Sequence, residues 1–249
     1  MKSLLFGTAG IPICTEPRNT VEGIKQVKKL GLGSMELEFV QNVNISKETA
    51  PVVKKTAEEN NVVLTCHSSY FINLNAKEKE KAGASRQRII QAATRLFECG
   101  GYSCCFHPGF YLGENHDIVY NKIKEQLQRV IKELQDKEIK IWIRPETTGK
   151  GTQFGTLYEL LKLSQEIEMV MPCIDFSHLH ARSNGKMNTY EEFKEELTMV
   201  EKFLGKEGLQ NLHCHVSGIA YSEKGDIAIA LFEFQEIIRI APKSEEAKK

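Results

Sequence analysis

Cys173-Ile174-Asp175-Phe176-Ser177-His178-Leu179-His180-Ala181-Arg182 is the stretch on which the fold turns. It completes an apolar run, 169–174, of the kind that forms a buried parallel strand. Asp175, His178 and His180 follow at once. Burying a carboxylate and imidazoles costs several kcal/mol unless they are paired or bind a metal. A hydrogen-bonded Asp-His pair at a loop would account for this stretch by itself. A strand that delivers a polar site at its C-terminal end would account for it equally well, and the rest of the chain decides between them.

Outward from this stretch, short apolar runs alternate with longer helical patterns, and no linker or low-complexity segment separates them. Strands are expected at 4–6, 35–40, 62–66, 103–106, 139–143, 169–174 and 209–216. Helices are expected at about 20–30, 46–60, 77–99, 117–135, 157–167 and 189–204, with Ser46 as an N-cap. Ile89, Ala93 and Leu96 recur at helical spacing, as do Ile123, Leu127, Val130, Ile131 and Leu134. In the second strand Met35, Leu37 and Phe39 face one way, Glu36 and Glu38 the other. Seven β-then-α units of this length imply an α/β fold, a (β/α)8-type TIM barrel with right-handed crossovers. Its C-terminal end is expected to be shortened or irregular, with seven full units. Residues 227–234 read as a compressed eighth strand or the start of a terminal helix, and 243–249 as a charged, frayed end.

A chain of 249 residues fits one such domain. Lys+Arg and Asp+Glu are each 33, so no global positive field points to nucleic acid, although a local basic rim stays open. The seven cysteines include no C-x-x-C pair, which fits a reducing cytosol better than a disulfide scaffold. The apolar N-terminal run breaks at Gly7-Thr8, too soon for a signal peptide, and no run reaches the roughly 20 residues of a membrane span. A cytoplasmic protein with no membrane partner is expected.

Metal-capable residues recur at the ends of successive strands: His67, His107, Glu146, Asp175 with His178, and His213 with His215. In a barrel those ends converge on the face where active sites are built. Five of seven histidines belong to this set and His180 lies beside it, whereas His116 reads as a solvated loop residue. Scattered core histidines would not track strand ends, so a shared metal site is expected. Imidazole and carboxylate without thiolate fit zinc, manganese or iron, and so many donors exceed one tetrahedral shell. Cys66, Cys173 and Cys214 read as core fillers that strand alternation turns away from the site. Glu36 and Glu38 read equally well as reaching the barrel face or as solvated and ion-paired.

These residues also carry a resemblance. His67-Ser68-Ser69-Tyr70-Phe71-Ile72-Asn73-Leu74, Phe106-His107-Pro108-Gly109, Glu146-Thr147-Thr148-Gly149, Cys173 to His178, and His213-Cys214-His215-Val216-Ser217-Gly218 resemble endonuclease IV. That is the zinc-dependent apurinic/apyrimidinic endonuclease family of the xylose-isomerase-like TIM barrels, and the His-Leu-His-Ala-Arg segment resembles its archaeal version. The motifs are specific in combination and weak singly, and the resemblance covers roughly 1–225. By that resemblance one domain spans 1–249, with 226–249 divergent.

The resemblance implies hydrolysis of the phosphodiester 5′ to an abasic site in DNA. His67, His107 and Glu146 would hold a first zinc, Glu146 would bridge to a second held by Asp175 and His215, and His178 would belong to a third. Tyr70 and Phe71, with Asn73 beside them, match the place where the family inserts side chains into DNA at the lesion. Asp226, His180, Arg182 and His213 are further candidates. The pattern departs at Ala228, where the family has histidine, and in lacking a late Glu-Ser-Pro segment, so fewer than three zincs are expected. A metal-dependent sugar isomerase or epimerase of the same superfamily is one alternative. A catalytically impaired remnant that binds damaged DNA is another.

Overall fold

Five parallel strands pair in sequence order: β1 (Gly7–Ala9), β2 (Ser34–Glu38), β3 (Val63–His67), β4 (Ser103–Phe106) and β5 (Trp142–Pro145). Parallel bridges Ile143–Val170 and Glu146–Cys173 continue the series to β6 (Cys173–Asp175), which pairs in parallel with β7 (His213–His215). The helices between them are α1 (Thr20–Lys29), α2 (Ala50–Asn60), α3 (Lys79–Glu98), α4 (His116–Asp136), α5 (Leu157–Glu166), α6 (Phe176–Arg182) and α7 (Tyr190–Gln210). The structure, a computed structural model, describes residues 4–222 and, as backbone, 225–229. Among the described residues no strand pairing joins β7 to β1.

The larger core lies between the strands and α1–α4, with Ile24, Leu64, Cys66, Leu96, Cys104, Leu127 and Ile143 all buried in it. A second core joins Leu157 and Leu161 of α5, Ile174 of β6, Leu179 of α6 and Val200 of α7. Burial of these apolar stripes, at about 25 cal/mol per Å², outweighs the weak intrinsic helix preferences and fixes which face each helix turns inward.

Several expected boundaries move, each for a local reason. The first strand lies at Gly7–Ala9 and not at 4–6, leaving Leu4 and Phe6 exposed. Gly7 faces Ser34 so closely that a Cβ would come within 2.1 Å of Ser34 Oγ, so glycine is what the pairing admits there. α2 is regular from Ala50, and Ser46 caps the turn that leads into it, its Oγ accepting from the Thr49 amide at 3.2 Å and its carbonyl from the Ala50 amide at 3.1 Å. Ile139 and Ile141 are buried on the approach to β5, which starts only at Trp142. The helix expected at 189–204 breaks at Gly205 (φ 66°), and a second helical stretch carries on to Gln210, so the seventh strand is the short His213–His215 and not 209–216.

The polar residues after β6 form a helix, α6, and not a loop. Asp175 caps it, its Oδ1 accepting from the His178 amide at 2.8 Å. At the end, β9 (Gly225–Ile229) pairs antiparallel with β8 (Ile219–Ser222), so 227–229 belong to a hairpin and not to a parallel eighth strand; 230–234 lie outside the described residues. The Tyr221 ring of β8 meets the His180 ring of α6 edge-on, with centroids 4.8 Å apart.

Candidate metal centre

Glu146, just past β5, is the hub. It is 1% exposed, and its amide donates to Phe106 O at 2.9 Å, tying it to the end of β4. Its two oxygens face different imidazoles. Oε2 lies 3.1 Å from His67 Nε2 and 3.5 Å from His107 Nε2. Oε1 lies 2.9 Å from His215 Nδ1 and 3.6 Å from His178 Nδ1. Backbone carbonyls orient two of the rings: His67 Nδ1 sits 2.7 Å from Ser68 O, and His178 Nδ1 sits 2.9 Å from Thr147 O. For His67 this fixes the ring and leaves Nε2 for the centre, whereas His178 turns the same Nδ1 to the Thr147 carbonyl and to Glu146. Asp175 stands beside His178, its Oδ2 3.5 Å from Nδ1.

Glu36, which the sequence left undecided, is a full member. It is buried on β2, with Oε1 3.0 Å from His215 Nε2 and Oε2 3.3 Å from His213 Nε2. Its Oε2 also accepts from Thr65 Oγ1 at 3.1 Å, and Cys105 Sγ lies 3.3 Å away. His213 thus faces Glu36, with its Nδ1 3.2 Å from Ser103 Oγ. The alternation of Glu36 and Glu38 on one strand face was the available signal.

Two cysteines correct the expectation of a thiol-free site. Cys173 precedes Asp175 by two residues, so alternation turns it to the same side as the ligands, not away from them. Cys105, which the sequence did not single out, joins it: Cys105, Glu146, Cys173 and His215 offer donor atoms within 4.8 Å of one another. The same closeness holds for His67, His107 and Glu146, for Glu146, Asp175 and His178, and for Glu36, Cys105 and His213. Cys66 does pack in the core, as read.

The electrostatics are those of carboxylates compensated by imidazoles. Burial pushes the Glu146 carboxyl up, but His215 and His107 prevail and hold it well below its ordinary range. Glu36 behaves alike against burial, held down by His215 and His213. Burial lowers the His67 imidazole, yet its bond to Glu146 wins and raises it to about 9. His215 is raised well above its usual value against burial by Cys173, Glu36 and Glu146. Burial takes His107 down to about 3, while Asp175 is raised, chiefly by burial. Convergent lone pairs of buried carboxylates, imidazoles and thiols, whose described partners are mostly one another, are a donor set that fits divalent metal ions.

The remaining candidates lie around this centre. Tyr70 is half exposed, its ring 5.2 Å from that of His67, and Phe71 is 68% exposed. Phe71, Lys77, Lys81, Arg88 and Leu112 line an adjoining groove of about 670 Å³. Asn73 braces this loop, its Oδ1 accepting from the Asn75 amide at 3.1 Å and the Phe110 amide at 3.4 Å. At Gly109 (φ 141°) a Cβ would come within 2.4 Å of that same oxygen, so two loops touch where only glycine fits.

Arg182 is engaged in the loop after β5, its Nη1 donating to Lys150 O at 2.6 Å and Gln153 O at 3.0 Å. His180 turns its Nδ1 to Lys186 O at 2.7 Å. Neither is brought into the donor groups. His116 opens α4 and stacks on Tyr111 with centroids 3.9 Å apart. The Asp226 side chain lies outside the described residues.

Comparison with known proteins agrees with this architecture. An uncharacterized protein of Methanocaldococcus jannaschii is 44% identical over 223 residues, 90% of this chain and 80% of that protein. A probable endonuclease 4 of Petrotoga mobilis is 28% identical over 155 residues, 61% of this chain but only 53% of its own length. Among solved structures, endonuclease IV from Thermus thermophilus superposes with a TM-score of 0.63 at 18% identity, covering 82% of this chain and 73% of that one. D-psicose 3-epimerase from Clostridium cellulolyticum gives 0.66 at 14% identity, covering 86% and 73%. At such identities the structural likeness speaks for the fold. The sequence profile of one family matches residues 24–226, most of the chain, and on that match the chain belongs to the xylose isomerase-like TIM barrel family.

Proposed function

We propose that this protein is a metal-dependent phosphodiesterase of the endonuclease IV kind, cutting DNA on the 5′ side of abasic sites. The observation that carries this reading is Glu146, a buried carboxylate with an imidazole pair on each oxygen. That is the arrangement of a ligand shared between two ions, suited to a displacement in which attacking and leaving oxygens both need stabilising. His67 and His107 with Glu146 would hold one ion. His215 with Glu146 would hold a second, and Asp175 with His178 lie ready on the third side. Zinc is the ion we assign, and it would supply Lewis-acid stabilisation of charge on phosphorus. Ser68 and Thr147 hold the His67 and His178 rings in place through their carbonyls. Tyr70 and Phe71 present exposed rings at the rim, able to occupy the gap that a missing base leaves in a duplex. The free cysteines fit a reducing, cytoplasmic setting.

A sugar epimerase is the second reading, favoured by the balanced charge and by likeness to the Clostridium enzyme, D-psicose 3-epimerase. Such chemistry does not call for imidazole pairs on both oxygens of one carboxylate. The test is incubation of zinc-loaded protein with a labelled duplex carrying one tetrahydrofuran abasic analogue. We expect a single nick 5′ to the analogue that leaves a 3′-hydroxyl. A chelator and Glu146→Gln should each abolish it, the variant keeping the parent's circular dichroism. An intact abasic duplex together with turnover of a ketohexose would establish the epimerase instead.

A further inference from the structure

Beneath the imidazoles lies a layer that the phosphodiesterase reading does not use. Cys105 and Cys173 are both fully buried, and neither belongs to the hydrophobic clusters that take up Cys66 and Cys104. Alternation along β4 explains the split: Cys104 faces the helices and Cys105 faces the interior. There Cys105 Sγ finds Glu36 Oε2 at 3.3 Å and His215 Nε2 at 4.0 Å. Inward positions of such barrels are ordinarily filled by branched aliphatic residues, and two thiols among two carboxylates and two imidazoles are a poor choice for filling space.

The two sulfurs are not placed to bond to each other. β5 separates β4 from β6, so their backbones stand roughly 9 Å apart at the usual strand spacing. A disulfide requires Cα atoms within about 7 Å. Yet both sulfurs, His215 and Glu146 lie within 4.8 Å of one another, which is how donors stand around a common cation. Two thiolates at about 2.3 Å from one ion, with an imidazole and a carboxylate oxygen, make a tetrahedral zinc shell. Soft sulfur donors disfavour magnesium and manganese.

We propose that Cys105 and Cys173 are ligands of a thiolate site, completed by His215 and Glu146, and that this is the centre's second ion site. Asp175 then belongs with His178, the group in which its carboxylate already sits. The assignment rests on reading the centre as a metal site and is independent of the substrate.

Cobalt(II) substitution tests it, since thiolate ligation gives an intense near-ultraviolet charge-transfer absorption that imidazole and carboxylate ligation do not. Native protein loaded with cobalt should show that band. Cys105→Ser and Cys173→Ser should each weaken it by about half or more and the double variant should lose it, whereas Cys14→Ser should keep it. The loss counts only in variants that keep the parent's circular dichroism, which separates a lost ligand from a lost fold. Cobalt bound without the band, a band undiminished in the double serine variant, or no cobalt binding at all overturns the proposal. A positive band in protein that leaves abasic duplex uncut would keep the thiolate site and remove the proposed activity.

Discussion

Glu36 and Glu38 stand two residues apart on one face of β2, yet their surroundings differ in sign. Glu36 is matched by two imidazoles, while Glu38 is pushed up to about 7, first by burial and then by the charge of Glu36, with His67 and His215 opposing. A carboxyl whose pKa is higher folded than unfolded favours the native state most at low pH, below its unfolded value of 4.5. That advantage is lost as pH rises through 7. A full shift of this size would be worth about 3 kcal/mol, and partial exposure reduces it to about 1–2 kcal/mol. Glu38→Gln removes the titration. In urea unfolding of metal-free protein, the variant should therefore gain about 1–2 kcal/mol on the parent between pH 5 and pH 8. A parent-to-variant difference that stays constant with pH would show that Glu38 does not titrate in this window.

Among the elements, the loop after β3 is the one whose role is read from exposure. Tyr70 and Phe71 lie at the rim, and their loop is pinned from behind by Asn73 and by Arg88 Nη1, which donates to Phe71 O at 3.2 Å. Replacing both aromatics with alanine should weaken binding of abasic duplex by about 1–3 kcal/mol per lost stacking contact. Undamaged duplex, held through phosphates, should be little affected in a fluorescence-anisotropy titration. Equal losses on both duplexes would assign the rings to loop structure. Strand β4 coincides with the run 103–106, because a continuous apolar run between a helix and His107-Pro108 has little choice of boundary. His67 and His107 were legible for the same reason, each directly ending such a run, and Glu146 follows its run by only Arg144-Pro145. What stayed hidden depended on neighbours absent from the local pattern. β1 starts at Gly7 because of Ser34 across the sheet, α6 forms because Asp175 caps it, and Cys105 matters only once β6 brings Cys173 opposite.

At the scale of the molecule, the seven strands form an ordered series, and side chains link its last member across the interior to β2, while among the described residues no backbone pairing joins β7 to β1. Glu36 of β2 holds His213 and His215 of β7. Farther down, the buried Arg144 donates through Nη2 to Asn211 O at 2.8 Å, and the Tyr102 hydroxyl donates to Asn211 Oδ1 at 2.6 Å. Ions held between these strands would reinforce that link, since ligands of the native state stabilise it by mass action. Chelation should accordingly lower the melting temperature, and amide exchange should accelerate in β7 and α7 before β3 and β4. Exchange that rises uniformly would detach the centre from this seam. The raised imidazoles of His67 and His215 carry a further consequence for the solution around the protein. Both hold their proton more tightly than a free imidazole does, and a cation can take their nitrogens only by displacing it. Loading zinc into lightly buffered protein at pH 7 should therefore acidify the medium, the buried Cys105 thiol adding its proton where it becomes a ligand, and the apparent association constant of the site that holds His67 should climb about tenfold per pH unit until His67 deprotonates near 9. The chain would then sense pH through its appetite for metal, filling in alkaline surroundings and emptying in acid ones.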